Sequence, residues 1–358
     1  MSQFVATCEA CGHVFLRRQI DPIELYGSSY QTRSAKSSAA TAALDRLLIF
    51  LETRHQLSEF DLCIDIGAND GSLLEMLPRR GFRGRRVGID PSWADWPEGI
   101  EGHTGFAEDV DFEVLAGNSE RVLLVASHVL EHVAEPTELL GKVAAMMSPQ
   151  DVLLVQFPAM EPLAVELRFD QIHHQHYHYF SRSSFGRALE LAGLQIVTSE
   201  IDWQHYGSAT CLIRRSGVVT SPLTDQWNSV WERMVSSTGA ITGLVSTRFE
   251  AFAQLQRAVD ESLRLTEFVG LGAGLMSPIV FYHLPESSAE CTAIFDDDST
   301  KWGHRYCHTP ASIEPVPSSL DERIVLVSGA VSRQAGRVLT RRAIELGALN
   351  VVLPVINL

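Results

Sequence analysis

The sequence predicts an α/β protein: a small loop-rich module followed by two units, each a largely parallel sheet with helices on both faces. Three observations predict it. Short apolar runs alternate with helical stretches between residues 61 and 157, the pattern of strands buried on both faces. The first run, Leu62-Cys63-Ile64, leads through Asp65-Ile66-Gly67-Ala68-Asn69-Asp70-Gly71-Ser72 into the helical Leu73-Leu74-Glu75-Met76-Leu77. Glu267-Phe268-Val269-Gly270-Leu271-Gly272-Ala273-Gly274 repeats the move from strand into glycine turn much later in the chain. The chain accordingly divides into an N-terminal module (1–36), a first α/β domain (37–216), a helical linker region (217–266) and a second α/β domain (267–358).

The elements follow in order. The lead contains Cys8-Glu9-Ala10-Cys11-Gly12, Asp21-Pro22 and Tyr26-Gly27-Ser28-Ser29-Tyr30. Leu44, Leu47, Leu48 and Leu51 recur at helical spacing, so 37–57 is an amphipathic helix. Strands are expected at 61–66, 85–90, 122–127 and 152–157, and helices at 71–77 and 136–147, the latter opened by Pro136. A helix at 183–193 ends at Gly193. Strands 194–203 and 208–214 are joined by His205-Tyr206-Gly207-Ser208, a link short enough for an antiparallel hairpin at the sheet edge. Residues 217–224 read as a linker and 225–267 as helical. The second unit continues with strands at 291–296, 323–328 and 350–355 and a helix at 333–347.

Composition narrows the function. A net charge of −15, spread along the 358 residues, repels a phosphate backbone and argues against a nucleic-acid partner. No apolar run approaches the ~20 residues that span a bilayer, so no membrane partner is expected. Met1-Ser2-Gln3-Phe4-Val5 lacks the basic and apolar segments of a signal peptide, and a cytoplasmic protein is expected. Of six cysteines, Cys63 and Cys291 sit in strand-like runs as core thiols. Only Cys8 and Cys11 have ligand spacing. They supply half of a tetrahedral zinc site, to which His13 adds a third donor; the weightier alternative is a knuckle without metal.

The turn after the first strand carries the cofactor reading. Gly67 permits the sharp turn, and Gly71 lets helix and ligand approach without a Cβ between them. The pattern is Asp-x-Gly-x-x-x-Gly rather than Gly-x-Gly-x-x-Gly, which points to an adenosine cofactor smaller than a dinucleotide. Asp90 ends the next strand, about twenty residues on, where an acid takes two ribose hydroxyls. Phe106-Ala107-Glu108-Asp109 is placed to meet the adenine, and Ser127-His128-Val129-Leu130-Glu131-His132 reaches the same rim. The candidate cofactor residues are Asp65, Gly67, Asn69, Gly71, Asp90, Phe106, Ser127 and His128. The Gly270-x-Gly272-x-Gly274 turn admits a second cofactor, with Asp296, Asp297 and Asp298 as candidate ribose acids; a tight turn lining a substrate cleft is the weightier reading.

The stretch Phe169-Asp170-Gln171-Ile172-His173-His174-Gln175-His176-Tyr177-His178-Tyr179-Phe180-Ser181 is rich in histidine. In an extended segment His174, His176 and His178 share one face as a candidate metal comb, but no carboxylate or thiolate partner is assigned to it and Gln175 is a poor ligand. Histidines retained only as satisfied rim residues are a further reading. Acid–base work suits imidazole better than either, with its pKa near ~6.5.

In the order Asp65, Gly67, Gly71, Asp90 and Ser127–His132, the chain resembles class I methyltransferases. More specifically, it resembles the sugar C-methyltransferases of deoxysugar pathways. Their Phe-Asp-x-Ile-Tyr-His-Glu-His-x-Ser-Tyr-Phe-Ser lies over residues 169–181 and their His-Gly-Gly-Ser over His205–Ser208. Their Cys-x-x-Cys-Gly and tyrosine-rich segment lie over Cys8–Gly12 and Tyr26–Ser34. The resemblance spans nearly the whole chain. It implies a truncated zinc-binding module, a central seven-stranded Rossmann-like methyltransferase sheet and a C-terminal Rossmann-like domain. The implied cofactor is S-adenosyl-L-methionine, with Zn2+ at Cys8 and Cys11. The implied reaction is methyl transfer to carbon beside a ketone of a nucleotide-linked sugar or similar small metabolite, through an enolate. His176 falls on the family's base, His132 and Tyr30 on residues shaping the ketone pocket, and His173 on a tyrosine.

The departures keep alternatives open. His173 replaces a phenol, Gln175 replaces a glutamate and should leave the adjacent imidazole less basic, and the first zinc cysteine pair is missing. Gly272-Ala273-Gly274-Leu275-Met276-Ser277 lacks a lysine suited to a phosphate-bearing ligand. An O- or N-methyltransferase of a small metabolite is the first alternative. A catalytically inactive binding protein that keeps the cofactor fold is the second.

Overall fold

The structure is a computed structural model. It describes residues 4–21, 23, 38–205, 207–217, 225–230, 232, 241–274, 277–329 and 333–354. Tyr30, the tyrosine-rich segment around it, Tyr206, most of the 217–224 linker and Leu275-Met276 lie outside them. The chain forms two compact units: Met1–Glu161 with His174–Trp203 and Gly207–Thr242, and Pro162–His173 with Gln204–Tyr206 and Gly243–Leu358.

The first unit holds two sheets. β1 (Val5–Thr7) and β2 (Val14–Leu16) form an antiparallel hairpin, and β2 pairs with β8 (His178–Tyr179). The N-terminal lead therefore shares a three-stranded sheet with the histidine-rich stretch, a long-range pairing that spacing within either segment cannot reveal.

The main sheet is the seven-stranded one expected, in the order β5-β4-β3-β6-β7-β10-β9. Its strands are β3 (Leu62–Ile66), β4 (Arg85–Asp90), β5 (Glu101–Thr104), β6 (Val122–Ser127), β7 (Val152–Pro158), β9 (Leu194–Asp202) and β10 (Ser208–Arg215). β5, β4, β3, β6 and β7 run parallel; β10 is antiparallel to both β7 and β9. β5 is the strand that sequence reading misses. All four of its residues are exposed, so it has no apolar run to show. Alternate residues of each inner strand enter opposite cores. Leu62, Ile64 and Ile66 join a cluster with Leu124, Phe157 and Trp227. Cys63 joins Leu47, Leu51, Leu123 and Val125 under the helix Ser38–Glu52.

Several helices end earlier than periodicity suggests. The helix after β3 spans Ser72–Met76, because Pro78 follows and the chain tightens into a 3-10 turn over Leu77–Arg80. The helix before β9 is Arg182–Leu191, its N-cap Ser181 accepting from the Ser184 N–H.

The second unit has a five-stranded, wholly parallel sheet, order β13-β12-β11-β14-β15. Its strands are β11 (Phe268–Leu271), β12 (Cys291–Phe295), β13 (Ile313–Glu314), β14 (Ile324–Val327) and β15 (Asn350–Val352). Among the described residues, no helix is long and apolar enough to cross a membrane.

Candidate functional site

Beyond the carboxyl ends of β3, β4 and β6 lies a cleft, where ligands of open α/β sheets bind. The turn after β3 forms one wall. The N–H groups of Gly67 and Ala68 both donate to the Ile89 carbonyl, at 2.8 and 3.0 Å. Gly67 has φ +71°, and a Cβ there would stand 2.3 Å from Val129 Cγ2, so only glycine fits.

Asp90, only 7% exposed, closes the second wall. Its Oδ2 accepts the Asn69 N–H at 2.9 Å, and its Oδ1 accepts the N–H and Oγ–H of Ser92 at 2.8 and 2.7 Å. These bonds fix the carboxylate plane; Oδ1 accepts two of them, and Oδ2, which accepts one, retains a lone pair for a hydroxyl. Phe106 and Ala107 add an apolar wall; His128, Val129 and His132 line the remaining side.

Of the cofactor residues expected from sequence, Gly67, Asn69, Asp90, Phe106 and His128 line the cleft, whereas Asp65, Gly71 and Ser127 do not. Asp65 is buried in β3, and burial together with the nearby Asp90 pushes its carboxyl well above the usual range. At Gly71 (φ +77°) a Cβ would meet Ile100 and Pro97, so this glycine packs the turn against the 97–100 loop. The Ser127 hydroxyl turns to Gln156 Oε1, at 3.4 Å. Ser92 is among the lining residues that sequence reading missed; a hydroxyl two residues beyond the strand-end acid is its signal.

His132 and His176 come together beside the cleft, ring centroids 4.8 Å apart. The His132 Nδ1–H donates to the Gln175 carbonyl at 2.7 Å, and desolvation holds that imidazole's pKa below its ordinary value. The Glu131 carbonyl accepts from the N–H groups of Tyr177 and His178, at 2.7 and 3.2 Å. Through these bonds the histidine-rich stretch is held against the loop after β6. Glu131 itself, 1% exposed, turns its carboxylate Oε1 to His128 Nδ1 at 3.1 Å. Sequence reading assigned Glu131 no role, although its i, i+3 spacing from His128 was visible.

The metal comb of His174, His176 and His178 does not form. His178 turns instead to His13 (Nδ1 to Nε2, 2.9 Å) and to the Ala134 carbonyl. His13 is taken up at both nitrogens, the second by the Ser184 hydroxyl at 3.3 Å, and so is not poised beside the thiols as a zinc ligand. Cys8 and Cys11 lie in a tight knuckle, with the Gly12 N–H on the Cys8 carbonyl. Backbone N–H groups of Cys11 and Ala10 lower the Cys8 pKa. Among the described residues, the group of three or more potential metal ligands is Glu131, His132 and His176, with neither cysteine in it. His173 belongs to the second unit.

In that unit the Ala273 N–H donates to Asp296 Oδ2 at 2.7 Å, repeating the relation of Asn69 to Asp90. Its glycines serve packing: a Cβ at Gly272 or Gly274 would lie 2.9 Å from Gly329 backbone atoms.

Residues 37–199 match the family model of a methyltransferase domain. The chain is 28% identical over 209 residues to the C-methyltransferase NovU of Streptomyces niveus, covering 57% of this chain and 49% of that protein. It thus spans about half the length of the curated relative it matches. Two similar solved structures are both at TM-score 0.38. One is the N,N-8-amino-8-demethyl-D-riboflavin dimethyltransferase RosA of Streptomyces davawensis, 21% identical over 50% of this chain and 56% of that one. The other is the magnesium protoporphyrin IX methyltransferase ChlM of Synechocystis PCC 6803 with bound SAH, 16% identical over 54% and 92%. The match of residues 37–199 to a methyltransferase domain, together with the likeness to NovU, supports an S-adenosylmethionine-dependent methyltransferase. The cleft fits that cofactor's nucleoside: an anchored acid for a ribose diol and an apolar wall for a base.

Proposed function

We propose that the protein methylates carbon beside the ketone of a nucleotide-linked sugar or similar small metabolite, with His176 as the base. The observation that carries this reading is the pairing of His176 with His132, which itself lines the cofactor cleft. An imidazole so placed takes the α proton next to the methyl donor. His132 supports it by presenting a second nitrogen of defined tautomer, since its Nδ1–H is spent on Gln175. S-adenosylmethionine, when bound, supplies an electrophilic methyl group. The chain's residues remove the proton, hold the oxygen on which enolate charge develops and exclude water. On the resemblance drawn from sequence, Tyr30 joins His132 in shaping the ketone pocket, and His173 stands where the family has a tyrosine. The likeness to NovU, named a C-methyltransferase, agrees with methylation at carbon.

O- or N-methylation is the second reading, favoured by two specific features: Gln175 in place of a carboxylate beside the base, and Met276 where the resembled family has a lysine. Isotope exchange decides between them. Incubated in deuterated water without cofactor, a C-methyltransferase washes deuterium into the carbon beside the ketone of its substrate. Methyl product without any exchange would overturn methylation at carbon. With no release of S-adenosylhomocysteine from any of a panel of nucleotide-linked ketosugars and small metabolites, the binding-protein reading would stand instead.

A further inference from the structure

We propose that Glu131, His132 and His176 bind a divalent transition-metal ion, and that the ion inhibits the enzyme by occupying the nitrogen that serves as base. The inhibitory half rests on the reading of His176 given above; the binding half does not.

Three observations carry the binding. First, one ligand atom from each of the three side chains lies within 4.8 Å of the others, so a closure of about 1 Å brings them to a shared ion at ~2.0–2.2 Å. Second, the Glu131 carboxylate is 1% exposed and uses one oxygen on His128, while Oε2 is buried with no hydrogen-bond partner among the described residues. A buried carboxylate oxygen left unmatched is costly, and a cation satisfies it. Third, the His132 Nδ1–H is already held by the Gln175 carbonyl, which leaves Nε2 as the nitrogen bearing a lone pair. Metal-binding histidines are oriented in this way, the second nitrogen donating to a carbonyl or carboxylate. Two imidazoles and one carboxylate select a transition ion over Mg2+ or Ca2+, which prefer oxygen. The reaction consequence is simple competition. A His176 nitrogen that shares its lone pair with a metal cannot accept a proton from carbon.

The test uses the full chain with C8S and C11S, so that the knuckle thiols do not compete, and Co2+ as an optical probe. One Co2+ per chain is expected, with visible bands of nitrogen and oxygen coordination and no thiolate charge-transfer band. E131Q and H176N should each weaken binding by about tenfold or more, at least the loss typical of an outer-shell partner. H132N, which keeps a donor for Gln175, serves as a third variant should E131Q fold poorly. No binding at millimolar Co2+, or unchanged binding in the folded variants, would overturn the site. Inhibition by Co2+ that a chelator reverses is expected in the same protein. A rate that rises with metal would overturn the inhibitory half, and with it His176 as base, while the titration still decides the binding. A chain that binds Co2+ as predicted yet methylates nothing leaves the site standing and removes only the reading of function.

Discussion

The Gln175 carbonyl accepts the Nδ1–H of His132 at 2.7 Å, and this bond determines which nitrogen of the ring meets the cleft. Asparagine at 132 can place its amide N–H near Nδ1 but has nothing at Nε2. His132→Asn should therefore keep the stability of the native protein within ~1 kcal/mol and lower turnover about a hundredfold. His132→Leu should also lose the bond and cost about 1–3 kcal/mol, since a buried carbonyl is left unmatched. Urea unfolding of the two variants checks this; equal stabilities would contradict the assigned tautomer.

His176→Asn removes the proposed base without touching the residues that line the cleft. Turnover should fall by about 10²–10⁴. Cofactor affinity by calorimetry should stay within about twofold of the parent. Turnover that survives would place the base elsewhere, with His173 or His174 next to be tested.

Asp90→Ala should weaken S-adenosylmethionine binding by about 1–3 kcal/mol, through lost bonds to ribose hydroxyls. Asn69 and Ser92 lose their shared acceptor in the same variant. Asp90→Asn should fall between the two, because one amide oxygen still serves Ser92 while the NH2 opposes the Asn69 N–H. Calorimetry on the three proteins orders them; an affinity unchanged in Asp90→Ala would remove this acid from the ribose.

These three residues also show how far the sequence was legible. Asp90 stands out because a strand end and a glycine turn about twenty residues apart are both local patterns. The central sheet was readable for the same reason, its buried strands being continuous apolar runs. β5 was not, as every side chain in it faces water. The contacts of the histidine-rich stretch were beyond reach, because β8 pairs with β2 across more than 150 residues and His178 spends itself on His13. Likewise Gly71 and Ser127 have the right residue types beside the right strands but turn to neighbours that sequence position does not fix.

Gly67 is constrained twice, by φ +71° and by the Val129 side chain 2.3 Å from where a Cβ would stand. Gly67→Ala should cost about 1–2 kcal/mol for the left-handed backbone alone, and more for the collision. Val129→Ala in the same chain should recover the collision part and leave the backbone part. Additive losses in the double variant, measured by thermal unfolding, would show that Val129 is not what excludes the side chain.

Glu161 gives a pH dependence whose sign is fixed by its surroundings. The side chain is fully buried, accepts the Arg182 N–H at 2.6 Å and the Trp227 Nε1–H at 3.0 Å, and burial raises its pKa from 4.5 to about 7. Between those values the folded chain holds a proton that the unfolded chain has released. Raising the pH therefore favours the unfolded state. The contribution is fully present below about 4.5 and is lost as pH rises through about 7, with a slope of at most ~1.4 kcal/mol per pH unit. Glu161→Gln cannot ionise. It has one oxygen for two donors, so it loses a bond by an amount that does not vary with pH. The stability of the parent minus that of Glu161→Gln, from urea unfolding at pH 5, 6 and 7, should fall steadily. A difference that is flat across this range would mean that Glu161 stays ionised in the folded protein, its charge held by the two donors against the cost of burial.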